Sequence, residues 1–211
     1  MEFELFNKGV DSMANRSYLY AIETESKKVI GISECNYDIP FVFKILVSSN
    51  TQMVPSKIFQ NSELIALQGD FEGGKRKLFE CLDRLLLTYG CYQDELEKKI
   101  QKTKHFLKTI KEDYFYLDCS EIYDMHDTPL EEQNKQLFDS IKNSDIEIEQ
   151  FMKKLNDMMI QYQNLKNTFP RSGFFLKKRQ EKATKELKEI QREIDNLLFL
   201  DYWTNTLYYE I

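Results

Sequence analysis

Gly69, Gly74 and Lys75 stand in the spacing G-x-x-x-x-G-K, between a short apolar run and an amphipathic stretch ("LIALQGDFEGGKRKLFECL", residues 64–82). Strand, glycine loop and helix in that order can cradle the phosphates of a nucleotide on backbone N–H groups and the lysine. The residue after Lys75 is Arg76, where the magnesium-holding hydroxyl of Ser or Thr belongs. Asp70 and Glu72 also lie within the stretch, and carboxylates there repel a triphosphate. The segment is therefore read as a strand-to-helix turn, with Asp70 as helix cap and the glycines present for geometry.

A second constellation is the acidic run "LDCSEIYDMHD", residues 117–127. Asp118, Glu121, Asp124, His126 and Asp127 are metal-ligand types. One histidine among carboxylates at mixed spacing makes a weak ligand set, and 126–129 (His-Asp-Thr-Pro) reads as the entry loop of a helix. The other histidine, His105, sits in a lysine-rich helix and reads as a surface residue. No nucleophile lies in a recognisable elbow motif beside a base. No cofactor or metal is assigned, and the chain is expected not to be an enzyme. A nucleotide- or metal-dependent enzyme using the 69–75 loop or the 118–127 acids is the alternative.

The elements that would position these residues are those of one folded unit. The chain has 211 residues, 42% hydrophobic and 30% charged, with 7 Gly, 4 Pro and 13% aromatics, a balance that favours long helices and aromatic-rich strands. "RSYLYAI" and "VIGIS" read as an antiparallel strand pair, and "ELIALQ" and "DYFYLDCSEIY" as a third strand and a fourth with its exit. "YDIPFVFKILVSSN" is read as a helix capped by Asp38 with Pro40 in its first turn, although its β-branched and aromatic content also fits a strand. A helix runs from Asp70 to a stop at Gly90, with Phe71, Leu78, Leu82, Leu85 and Tyr89 on one stripe. The next carries Leu96, Ile100, Leu107 and Ile110.

From Thr128 the texture becomes helical, with Thr128 as cap, Pro129 in the first turn and Glu131 and Glu132 at the positive end. Ile148, Met152, Leu155, Met159 and Tyr162 recur at helical spacing, as do Leu176, Ala183, Leu187, Ile190, Ile194 and Leu197, with Gln180 in the seam. A Pro-Arg-Ser-Gly turn between them predicts an antiparallel helical hairpin. The fold class is α+β: a small, mostly antiparallel sheet with packed helices and a long C-terminal hairpin. Residues 13–125 form the α+β core. Residues 126–211 form the hairpin, with "YWTNTLYYEI" returning to the sheet as a strand. Residues 1–12, "MEFELFNKGVDS", read as a leader encoded by cloning sites ahead of a native start at Met13.

Charge is unevenly spread. Residues 112–150 hold 12 acids and two lysines; residues 170–192 hold 8 bases and 3 acids. The basic helix interleaves Glu181, Glu186 and Glu189 with its bases, as in a solvated face with pairs such as Glu181 with Lys185. Phe174 and Phe175 at the hairpin tip cannot both face one seam, so one is expected to be an exposed anchor. The net charge of −6 argues against nucleic-acid binding, and no apolar run is long enough for a membrane. Cys35, Cys81, Cys91 and Cys119 show no C-x-x-C spacing and read as reduced thiols of a cytoplasmic protein.

"MANRSYLYAI", "GISECNYDIPFVFKILVS" and "IALQGDFEGGKRKLFECL" together resemble an uncharacterised family of bacterial proteins that open with Met-Ala-Asn-Arg-Ser-Tyr-Leu-Tyr. The likeness covers roughly residues 13–90 and implies no catalytic residues. More loosely, a small acidic α+β chain is similar to immunity proteins of bacterial toxin systems. That resemblance implies a cytoplasmic, non-catalytic protein that neutralises a cognate toxin domain, such as a basic nuclease; the hairpin seams leave it monomeric or dimeric through the hairpin. The expected contacts are Asp118, Glu121, Asp124, Asp127, Glu131 and Glu132, with Phe174 or Phe175.

Overall fold

A computed structural model of the chain describes residues 15–59, 63–89, 94–171, 176–209 and 211. The suggested leader, Met13, Gly90, Cys91, Phe174 and Phe175 lie outside the described residues.

Aromatic and β-branched runs form five antiparallel strands: β1 (Arg16–Ile22), β2 (Val29–Asn36), β3 (Gln52–Val54), β4 (Ala66–Asp70) and β5 (Tyr114–Asp118). Their order is β2-β1-β5-β4-β3. Tyr18 lies opposite Asp118 and Tyr20 opposite Tyr116, so these four share one face of the sheet. Leu19, Ala21, Phe115 and Leu117 point the other way, into the main core.

That aliphatic face is covered by helices. α1 (Phe41–Leu46) and α2 (Phe71–Tyr89) flank the β3–β4 hairpin, and α3 (Asp94–Thr109) leads into β5. The described stripe residues Phe71, Leu78, Leu82, Leu85, Leu96, Ile100, Leu107 and Ile110 are all buried. The α2 N–H of Gly73 is capped by Asp70 Oδ2 at 2.6 Å, as expected. After β5 come a short turn of helix, α4 (Ser120–Tyr123), and α5 (Leu130–Lys142). The hairpin follows as α6 (Ser144–Asn167) and α7 (Leu176–Leu198). Phe151 of α6 stacks on Phe41 of α1 with ring centroids 4.0 Å apart, so the hairpin base is part of the core.

Four expectations need correction. Pro40, not Asp38, occupies the α1 cap position, and Asp38 Oδ1 accepts the N–H of Ile39 instead. Pro129 likewise caps α5 without a side-chain bond, and Thr128 offers its carbonyl to Gln133 Nε2. On α7 the pairs that form are Lys182–Glu186 and Lys185–Glu189, at 3.7 and 3.8 Å, not Glu181–Lys185. The chain after α7 does return to the sheet, but among the described residues it is irregular rather than a strand. It holds on through Thr204 N–H to Ile32 O at 3.0 Å and Ser33 Oγ to Tyr202 O at 2.7 Å.

Candidate functional site

The would-be phosphate loop has no loop. Gly69 and Asp70 end β4, and Phe71 begins α2 directly. A Cβ on Gly69 would sit 2.3 Å from Val47 O, and one on Gly74 1.8 Å from Leu46 O. These glycines let the end of α1 lie against the β4–α2 junction, and backbone carbonyls fill the space a phosphate would need. Lys75 pairs with Glu72 at 2.5 Å and lies 4.8 Å above the Phe71 ring. This packing explains the glycines at 69 and 74 without a bound phosphate.

The acidic run divides. Asp118 is fully buried on the tyrosine face. Its carboxylate accepts Ser56 Oγ at 2.7 Å, Tyr116 Oη at 2.9 Å, Ser120 N–H at 3.1 Å and the Ser120 hydroxyl. It is no partner contact: four donors occupy it and no solvent reaches it. Glu121 is half-buried, and its Oε2 accepts Arg16 N–H and the Tyr18 phenol, both at 2.9 Å. Asp124, His126 and Asp127 point into solvent from the turn after α4. Among the described residues no three His, Cys, Asp or Glu side chains converge as metal ligands.

Glu131 and Glu132 extend the exposed set along the first turn of α5. Glu131 Oε1 accepts Leu64 N–H at 3.2 Å, which brings the chain before β4 to this corner. Asn134 anchors it from beneath, donating to Leu64 O at 2.7 Å and Ala66 O at 3.1 Å. Two apolar side chains stand in solvent here, Met125 (46% exposed) and Leu64 (41%). The structure thus assembles Asp124, Asp127, Glu131 and Glu132 on one corner, with Glu121 turned inward beside them.

Sequence reasoning missed the tyrosine face. Tyr18, Tyr20 and Tyr116 are buried there, with Leu207 packed over them. Burial first, then the neighbouring Glu121, pushes the Tyr18 phenol far above its ordinary value; burial and then Asp118 do the same for Tyr20 and Tyr116. The signal was present in "YLY" and "YFYLD", where tyrosine recurs at the period of a strand.

The profile of a domain of unknown function (DUF7822) matches residues 19–158, from β1 into α6. No curated protein and no solved structure matches.

Proposed function

The chain belongs to this family of unknown function, and from that premise we propose that it is a non-catalytic immunity protein. It binds a cognate bacterial toxin domain through its acidic corner and neutralises it in the cytoplasm, as a monomer or as a dimer through α6 and α7. The observation that carries the reading is the exposure of Asp124, Asp127, Glu131 and Glu132 on one corner. No Lys or Arg lies between Glu112 and Asn134 to offset them. A basic surface, such as that of a nuclease-type toxin, is the complement. Met125 and Leu64 supply apolar contact beside the charges. The inward bonds of Asp118 and Glu121 remove two ligands from the metal alternative.

The test is co-expression of the chain with the protein encoded next to it. A stoichiometric complex that survives gel filtration and relieves toxicity is expected. A folded chain that elutes alone while the neighbour stays toxic would sink the proposal.

A further inference from the structure

Arg16 pairs with Asn36 and Tyr18 with Asp118, so the start of β1, the exit of β2 and the exit of β5 meet at one end of the sheet, beside the acidic corner. There the chain leaving α7 and the end of β2 enclose two adjoining cavities of about 520 and 340 Å³, which share Cys35, Asn36, Phe199 and Tyr202. Together they make one groove.

Its floor is an aromatic stack. Phe43 meets Phe199 edge-on at 5.5 Å, and Phe199 stacks on Tyr202 at 4.5 Å and 24°. Phe199 adopts φ 52°, a costly conformation for a bulky residue, tolerated because the core grips its ring. Tyr202 is left with its inner side covered and 49% of its surface in solvent. Carboxylates line the rim. Glu34 faces Arg16 at 3.3 Å, and Asp201 shares Lys99 with Asp195, each at 2.7 Å. Among the described ion pairs, Asp38 has no cation. Three carboxylates, Glu34, Asp38 and Asp201, thus line the groove around an exposed aromatic face, and Glu34 and Asp201 already face Arg16 and Lys99.

We infer that this groove receives one arginine side chain of the partner, its guanidinium stacked on Tyr202 and donating to Asp38. A planar, weakly hydrated cation suits a flat ring beside a carboxylate better than a compact ammonium does. The inference rests on the reading of a basic protein partner and names the chemistry of one of its anchors.

Trp203 lines the larger cavity and is the one tryptophan of the chain, so its emission reports the groove. The full chain is titrated with N-acetyl-Gly-Arg-Gly-amide, with its lysine counterpart and with its citrulline counterpart, which is nearly isosteric but uncharged. Saturable change with the arginine peptide is expected, with weaker change for lysine and none for citrulline. Tyr202→Ala, which removes the cation–π face, and Asp38→Asn, which removes the charged acceptor, should each weaken binding about tenfold, with the circular dichroism unchanged. Should Tyr202→Ala unfold, Asp38→Asn decides. Equal responses to arginine and citrulline, no saturable response, or full affinity in Asp38→Asn would overturn the assignment. The titration needs no partner, so its failure is separable from failure of the co-expression test.

Discussion

Hydroxyl groups, rather than a cation, hold the carboxylate of Asp118 in the interior: Ser56, Tyr116 and Ser120 surround it. Ser56 comes from 62 residues away, which is why local sequence suggested a surface acid where the fold makes a buried acceptor. The phenols around it set an alkaline limit on the fold. Burial raises Tyr18, Tyr20, Tyr116 and Tyr123 well above their ordinary value near 10. The folded state therefore keeps protons that the unfolded chain releases. Their contribution to stability is whole below about pH 10 and lost as pH rises beyond it. Burial also pushes the Cys81 thiol up to about 11 and that of Cys35 up to about 12, with the same sign from an ordinary value of 9.0. The urea midpoint should hold level from about pH 7 to 8.5 and fall steeply above about pH 10. Absorbance of tyrosinate should rise in two phases, exposed rings first and buried ones only with unfolding. A single smooth phase with an unchanged midpoint would contradict this.

At the scale of elements, the junction of α1 with α2 depends on absent side chains. Gly74→Ala would gain helix propensity, about 1 kcal/mol, yet its methyl meets the backbone carbonyl of Leu46, which cannot rotate away. Gly73→Ala meets Ser49 Oγ and Asp70 Oδ2, side-chain ends that can turn away, and Ser49 Cβ, which moves only with its own backbone. Gly74→Ala should destabilise by about 2 kcal/mol or more and Gly73→Ala by clearly less, measured by urea unfolding. Equal effects would mean that the helix contact is softer than its geometry. The elements were unequally legible. β1 was read to its residue limits because "RSYLYAI" is uniformly strand-forming. β3 was missed because Gln52–Val54 is three residues long and defined only by pairing with β4. β5 shows no polar–apolar alternation because both faces of a central strand are buried: the alternation is phenol against hydrocarbon. The groove at Tyr202 was illegible, since it joins β2 to a segment about 170 residues later.

Across the whole molecule, charge separates the acidic corner from the basic outer face of α7, where Lys178, Arg179, Lys182 and Lys185 lie exposed. No helix among the described residues is long and apolar enough to cross a membrane. If the corner steers a basic partner, Asp124→Lys with Glu132→Lys should slow association about tenfold or more at low salt. Dissociation should change less, and the difference should shrink near 0.5 M salt. Stopped-flow mixing measures this, and a change confined to dissociation would remove steering from the account.

The tyrosine face is closed from far along the chain: the Tyr20 phenol donates to Tyr209 O, 189 residues downstream, and Leu207 lies against Gly31. During translation β1 emerges first among these strands, yet its tyrosines find their cover only when that distant segment has left the ribosome. For most of synthesis the nascent chain therefore carries an uncovered aromatic strand. Over that interval folding competes with aggregation, because uncovered apolar surface and unpaired strand edges associate between chains.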